Sequence, residues 1–184
     1  PVSGSIAITG RCNLGCVHCY CDASPRSGAA QELDTAAWLR IIEEITAGGC
    51  LYLLITGGEP LLRDDFDEIY TRARTGGLMV TVFTNGTRVD DRAIALFRDL
   101  PPRKVEVSLY GATDGTHDRI TGVKGSFEAA RSGIARLLGE KIAVCLKTVL
   151  MTMNRHEFEA IEKLAADLGV PFRFDSGIFP RLNG

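Results

Sequence analysis

The chain has 184 residues, of which 45% are apolar, and its 21 basic and 23 acidic residues give a formal charge of −2. This composition is typical of one globular domain with a sizeable core, and the near-neutral charge excludes a net field that would favour nucleic acid or an anionic membrane as partner. No apolar run approaches the roughly 20 residues of a membrane span and no secretory signal pattern is evident, so a cytoplasmic location is expected.

Six short apolar or β-branched runs alternate with five segments of helical periodicity. The predicted strands cover residues 5–10, 50–58, 79–86, 104–111, 142–151 and 171–175. The predicted helices lie within residues 34–49, 63–77, 89–100, 125–139 and 154–169, with Asp34 and Asn154 as capping residues. This alternation predicts an α/β fold with a parallel sheet and right-handed crossovers, either open and doubly wound or curled towards a barrel.

Unusual side chains follow the ends of the first four predicted strands. Four of the six cysteines come after the first strand, TGGEP ends the second, TNG ends the third and SLYG ends the fourth. Functional groups of parallel α/β proteins gather at the carboxyl ends of the strands. The sequence therefore predicts a functional site at that end of the sheet.

Cys12, Cys16 and Cys19 follow a C-x3-C-x2-C spacing. Three thiolates with an open fourth position suit an iron-sulfur cluster with one iron free for an exogenous ligand, whereas structural zinc uses four protein ligands. Cys21 is the rival fourth ligand, because with Cys16 and Cys19 it could close a site. A C-x-C pair directs its side chains apart in an extended segment, so Cys21 is expected to be a non-ligand.

The run CNLGCVHCY at 12–20 resembles the cluster-binding loop of radical S-adenosylmethionine (SAM) enzymes, and TGGEPLL at 56–62 resembles their second motif. The similarity extends over essentially the whole chain. It implies an α/β partial (β/α)6 TIM-like barrel with a [4Fe-4S] cluster on Cys12, Cys16 and Cys19. It also implies that the cluster cleaves SAM reductively to a 5′-deoxyadenosyl radical, which abstracts hydrogen from a substrate.

The resemblance also assigns SAM-binding roles. Gly57 and Gly58 would let the backbone approach the ligand, and Glu59 would accept a hydrogen bond from its ammonium group. Ser108 corresponds to a fourth-strand polar residue that reaches the SAM ribose or carboxylate; the alternative is a satisfied hydroxyl inside the barrel. Arg119 is the candidate partner of the SAM carboxylate, and the alternative is a solvated arginine at a helix start.

Three further residues are less specific. Asn85 in TNG is either a ligand-facing strand end or part of an ordinary Asn-Gly turn. Lys147 interrupts an apolar strand, so it is expected either to be paired or to face a polar lumen, where it would contact substrate or SAM. His117 is expected to be a surface or capping histidine.

The leading hypothesis is the radical SAM core domain, residues 1–184, of a member that modifies ribosomally made peptides and carries a further cysteine-rich SPASM domain outside this excerpt. Its expected partners are a peptide or small-molecule substrate and an external electron donor such as a flavodoxin or ferredoxin, with neither nucleic acid nor membrane. One alternative is a radical SAM enzyme of haem or pterin-type cofactor biosynthesis. The others are a non-catalytic zinc protein and a SAM-binding module that no longer cleaves.

Overall fold

The computed structural model describes residues 1–21, 23 and 32–178. Its strands are β1 (Ser3–Ala7), β2 (Tyr52–Thr56), β3 (Met79–Thr84), β4 (Lys104–Ser108), β5 (Val144–Val149) and β6 (Phe172–Asp175). The α-helices of this part of the chain are α1 (Thr35–Ala47), α2 (Phe66–Thr75), α3 (Asp91–Asp99), α4 (Asp114–Thr121), α5 (Ser126–Gly139) and α6 (Phe158–Asp167). Short 3-10 helices cover Pro60–Leu62 and Arg155–Glu157.

The six strands form one sheet in the sequential order β1-β2-β3-β4-β5-β6, and every neighbouring pair is parallel. A doubly wound sheet reverses its strand order at a switch point, whereas a barrel adds each strand beside the previous one. The order therefore selects the barrel alternative. Across the described residues β1 and β6 are not paired with each other, so the barrel is partial, as predicted.

The core lies between the sheet and the helices. On β3, Val80 and Val82 are buried towards the helices, while Thr81 and Phe83 on the opposite face are partly exposed to the barrel lumen. Such alternation follows from the two-residue period of a strand. None of the helices in the described ranges combines the length and hydrophobicity that a bilayer crossing requires.

The prediction of five helices was wrong, because α4 forms a separate helix before α5. The side chain of Thr113 caps its start by accepting a hydrogen bond from the Thr116 N–H, and Gly122, with φ +72°, ends it in the left-handed region. Eight residues with one large aliphatic side chain, Ile120, are too few for a helical period to stand out.

The predicted capping box at Asn154 was also wrong. The Asn154 side chain is buried, accepts a hydrogen bond from the Met151 N–H at 2.8 Å and donates to Tyr110 O at 3.0 Å and Val149 O at 2.9 Å. It therefore joins the segments that follow β4 and β5, and α6 starts four residues later without it.

Candidate functional site

A cavity of about 280 Å³ opens at the carboxyl ends of the strands. The predicted site residues that line it are Cys12, Cys16, Cys19, Gly57, Gly58, Asn85, Ser108 and Lys147. The fold thus brings together side chains that are spread over more than 130 positions of the sequence. Glu59 is buried behind this wall, and Arg119 lies outside it.

A second cavity, of about 460 Å³, opens at the amino ends of the strands. Its lining includes Glu106, which is paired with Lys104 at 2.5 Å and with Arg173 at 3.3 Å. None of the predicted site residues lines it, so its larger volume does not make it the candidate site.

The cysteine loop is held by the end of α4. The Gly15 N–H donates to Thr121 O at 2.8 Å and the Val17 N–H donates to Ile120 O at 2.9 Å. These carbonyls belong to the last turn of α4, where helical acceptors are otherwise unpaired. The middle of the loop is therefore fixed by main-chain hydrogen bonds, which do not depend on any ligand.

The thiols of the cysteine loop line the cavity and are partly shielded from water. Burial raises the pKa of Cys12. The pKa of Cys16 is raised to about 12, mainly by burial and to a smaller extent by the neighbouring thiols of Cys12 and Cys19. A metal binds the thiolate, so cluster assembly must displace these protons. The hydrogen bond between Cys21 and Cys19 raises the pKa of Cys21 far above its usual range.

Cys12, Cys16 and Cys19 line the wall of one cavity. The thiolates that hold a [4Fe-4S] cluster each bind a different iron and so stand around a shared cavity, whereas zinc ligands surround one centre at about 2.3 Å. Three thiols on the wall of one cavity therefore fit a cluster.

The two glycines of the second motif pack directly against the backbone of Thr9 and Arg11, which leaves no room for a side chain. The Gly58 N–H donates to Thr9 O at 2.7 Å and the Glu59 N–H donates to Arg11 O at 2.8 Å. A Cβ added to Gly57, whose φ is +155°, would lie 2.6 Å from Thr9 O, and one on Gly58 would lie 2.2 Å from Arg11 O. Glycine is therefore needed for the turn to pack against the start of the cysteine loop, as well as at the cavity wall.

Glu59 ties the second motif to the end of β3. One carboxylate oxygen accepts hydrogen bonds from the Leu61 N–H at 3.1 Å and the Thr84 hydroxyl at 2.8 Å, and the other accepts from the Asn85 N–H at 2.7 Å. Full burial raises the pKa of Glu59 to about 7, although the three hydrogen bonds act in the opposite direction by stabilising the carboxylate. Glu59 is 0% exposed and does not line the cavity, and its contact with the ammonium of SAM stays a prediction.

Lys147 both faces the lumen and is paired. Its ammonium lies 3.0 Å from Asp175 Oδ2 and 4.4 Å from the centre of the Phe83 ring. Ser108, which pairs with Lys147 across β4 and β5, lies in the same cavity wall. The SAM contacts of Ser108 and Lys147 stay predictions.

The structure does not bring Arg119 to the cavity. Arg119 is exposed and its guanidinium donates to Met153 O at 3.3 Å. The expectation of a surface His117 was wrong: it is 1% exposed and its Nδ1 accepts the Tyr110 N–H at 3.1 Å. Burial lowers the pKa of His117 to about 4.

Sequence reasoning assigned no side-chain role to an aromatic pair in the cavity wall. His18 and Tyr110 meet edge to face with ring centres 4.5 Å apart, and both line the cavity beside the cysteines. Their positions in the sequence could have indicated this pair, because His18 directly precedes Cys19 and Tyr110 lies two residues after Ser108, just beyond the end of β4.

Three thiols and a glycine-rich turn at one cavity of a parallel barrel are typical of a cofactor-dependent α/β protein. The family model of the radical SAM superfamily matches residues 6–167. The chain therefore belongs to that superfamily, whose cofactors are a [4Fe-4S] cluster and SAM. The predicted family, its enzymatic class and both cofactors are confirmed at the level of the family.

Similar proteins fall into two groups. The Fe-coproporphyrin III synthase of Methanosarcina barkeri is 34% identical over 164 residues, which cover 89% of this chain and 41% of that protein. The PqqA peptide cyclase of Ruegeria pomeroyi is 32% identical over 171 residues, which cover 92% of this chain and 45% of that protein. The chain thus spans less than half the length of these relatives.

A solved structure shares the fold. The crystal structure of Streptococcus suis SuiB bound to the precursor peptide SuiA superposes with a TM-score of 0.83 over 95% of this chain and 39% of that chain. Sequence identity is 15%, so the likeness concerns the fold.

Proposed function

We propose that the protein cleaves SAM reductively at a [4Fe-4S] cluster bound by Cys12, Cys16 and Cys19, and uses the 5′-deoxyadenosyl radical to abstract hydrogen from a ribosomally made peptide. The observation that carries this proposal is the convergence of the three cysteines and the Gly57–Gly58 turn on one cavity. When bound, the cluster supplies the electron for carbon-sulfur cleavage; the protein supplies placement and exclusion of water.

The residues of the chain divide this work. Main-chain hydrogen bonds from the end of α4 hold the cysteine loop, and Gly57 and Gly58 form the wall beside it. Ser108 and Lys147 offer a hydroxyl and a cation to the polar groups of SAM from the cavity wall, and Glu59, buried behind that wall, holds the end of β3 in place. Leu14, 2% exposed, helps to keep water from the thiols.

A peptide substrate is supported by two observations. The PqqA peptide cyclase is a relative, and SuiB, which has the same fold, was solved with a precursor peptide. Among the residues that the structure describes, no strand pairs with the outer edges of β1 and β6, so the sheet stays open along this side, which suits the entry of an extended chain. Because the chain spans less than half of its relatives, the proposal includes a further domain, of the SPASM type, outside residues 1–184.

A second candidate is synthesis of a haem-type cofactor. The Fe-coproporphyrin III synthase, at 34% identity, favours it. Both candidates share the same cluster and SAM site, and they differ in the molecule that occupies the lumen.

An external one-electron donor such as a flavodoxin or ferredoxin is part of either candidate. Each reductive cleavage of SAM consumes one electron, which must come from outside the protein.

The full-length protein, reconstituted without oxygen, tests the proposal. We expect at least four irons and four sulfides per chain, with more in any auxiliary cluster of the further domain, and we expect 5′-deoxyadenosine after addition of dithionite and SAM. A colourless protein that holds one zinc would overturn the proposal. The Cys16→Ala variant should hold about four irons fewer than the wild type and form no 5′-deoxyadenosine. Cys145→Ala, which removes a buried thiol on β5, is the matched control that should behave like the wild type.

The substrate is tested with deuterium. Incubation with a candidate precursor peptide, uniformly deuterated, should transfer deuterium into 5′-deoxyadenosine. Transfer from a deuterated porphyrin and none from the peptide would support the second candidate instead.

A further inference from the structure

Asn85 ends β3 in a fixed orientation. Its backbone N–H donates to Glu59 Oε2 at 2.7 Å, and its side-chain oxygen accepts from the Thr87 N–H at 2.9 Å and from the Thr87 hydroxyl at 2.7 Å. The residue is 9% exposed. Two donors on the oxygen leave the amide nitrogen to face the opposite side, towards the cysteine loop.

A closed ring of hydrogen bonds confirms which end of the amide is which. Asn85 Nδ2 donates to Asn13 Oδ1 at 3.0 Å, and Asn13 Nδ2 donates to the Thr87 hydroxyl oxygen at 2.8 Å. That hydroxyl in turn donates to Asn85 Oδ1. Reversing the Asn85 amide would set oxygen against oxygen at Asn13 and donors against donors at Thr87, so only one orientation satisfies the ring.

The same nitrogen lies 3.8 Å from Cys12 Sγ, within the range of an N–H to sulfur hydrogen bond. Cys12 Sγ also accepts from the Leu14 N–H at 3.4 Å, and Cys12 is 9% exposed. Two donors thus point at one buried sulfur. Hydrogen bonds to the sulfurs of an iron-sulfur cluster stabilise its more negative, reduced state and so raise its reduction potential.

We propose that Asn85 is a positioning residue of the cluster: its amide orients Cys12 and raises the reduction potential of the cluster, and it does not bind SAM. This inference rests on the proposed function, because it needs a cluster on Cys12. It replaces the two roles that the sequence suggested for Asn85, a SAM contact and an ordinary turn residue.

The test is a redox titration of the full-length Asn85→Ala protein after anaerobic reconstitution, followed by the electron paramagnetic resonance of the reduced cluster. The relevant signal is the one that changes when SAM is added. We expect the ratio of reduced to oxidised cluster at a fixed potential to fall about tenfold, which is about 59 mV for a one-electron couple. Binding of SAM to the loaded protein should be unchanged.

Asn154→Ala is the matched control. Asn154 is another buried asparagine with three hydrogen bonds, and its partners are main-chain groups of Met151, Tyr110 and Val149. Its loss should destabilise the protein without shifting the potential. A potential shift of equal size in both variants would show a general effect of destabilisation and would overturn the proposal.

Each of the remaining outcomes either supports or overturns the proposed role of Asn85. A loaded Asn85→Ala protein with the wild-type potential, with or without weakened SAM binding, overturns the proposal. If Asn85→Ala holds no cluster, Thr87→Val decides, because it removes the hydroxyl that orients the amide and keeps Asn85 itself: a lower potential supports the proposal and an unchanged one overturns it. A wild-type protein that binds no cluster would instead overturn the proposed function.

Discussion

Cys21 is the residue whose role separates a cluster from a closed metal site. Its thiol hydrogen-bonds to Cys19, and both line the cavity. A closed zinc site would need four donors around one centre, whereas the cofactor of the superfamily to which the chain belongs is a [4Fe-4S] cluster. Cys21 is therefore expected to lie beside a cluster ligand without replacing it.

Substitution of Cys21 tests this expectation against a neighbour on the same loop. Cys21→Ala should keep the iron content of the wild type, whereas Cys16→Ala should hold about four irons fewer, because only Cys16 belongs to the proposed ligand triad. Iron and sulfide analysis after anaerobic reconstitution measures both. Loss of iron from Cys21→Ala alone would identify Cys21 as a ligand.

Features that depend on local spacing could be read from sequence, and those that depend on tertiary contacts could not. The three proposed ligand cysteines lie within eight positions, so their spacing, together with the family resemblance that it carries, led to the cluster prediction. The hydrogen bonds of Glu59 to Thr84 and Asn85 arise only when β2 and β3 pair. Neither the sequence around Glu59 nor that around Thr84 contains a pattern that predicts these hydrogen bonds.

Helix α4 is the element that positions the cysteine loop. Its last carbonyls accept from Gly15 and Val17, and its first turn is held by Glu157, whose carboxylate accepts from the Ala112 and Thr113 N–H groups at 2.7 and 3.1 Å. Which side of α4 faces inward decides that His117 is buried and Arg119 exposed. Eight residues with one large aliphatic side chain do not encode that choice, so the sequence did not predict the burial of His117 and offered the solvated Arg119 only as an alternative.

Two glycines flank the turn between α4 and α5, and comparing their variants distinguishes the positioning of the cysteine loop by α4 from a general effect of backbone strain. Gly122 and Gly125 have φ of +72° and +83°, and a Cβ at Gly122 would lie 3.1 Å from Gly15 O while one at Gly125 meets nothing within 4 Å. Each substitution by alanine should destabilise the protein by about 1 kcal/mol, because both positions are left-handed. Only Gly122→Ala should also lower the iron content after reconstitution.

Urea unfolding and iron analysis measure the two effects. Equal iron contents in the two glycine variants would mean that the contact between α4 and Gly15 does not position the loop.

His117 gives the docking of α4 a pH dependence. Burial lowers its pKa from 6.5 to about 4, so between these values the unfolded chain binds more protons than the folded one. The free energy of unfolding should therefore rise with pH over this window, and stability should be lost as pH falls from 6.5 towards 4. At about 1.4 kcal/mol per unit the full contribution is on the order of 3 kcal/mol.

Urea unfolding between pH 4 and 7 checks this in three proteins. His117→Asn keeps a side-chain acceptor for the Tyr110 N–H and cannot titrate there, so its slope should be shallower than that of the wild type. His156→Ala, which removes an exposed histidine, is the control and should keep the wild-type slope. Identical slopes for wild type and His117→Asn would contradict the assignment.

At the scale of the whole molecule, the sequential sheet sets one functional end. The alternation of strands and helices predicted the parallel arrangement, and the structure adds that the strand order never reverses, so all loops after the strands face one mouth. The chemistry at that mouth is assembled from β1, β2, β3, β4 and β5. Binding of SAM there should therefore report on the integrity of the entire barrel.

Thermal unfolding with and without SAM tests whether the barrel binds SAM through the cluster or by itself. If SAM binding requires the cluster that Cys12, Cys16 and Cys19 would hold, SAM at about 100 times its dissociation constant should stabilise the reconstituted protein by about 2.7 kcal/mol. The same protein before reconstitution, and the Cys16→Ala variant, should be stabilised far less because that cluster is missing. Equal stabilisation in all three would mean that the protein walls alone hold SAM, as in a binding module that no longer cleaves it.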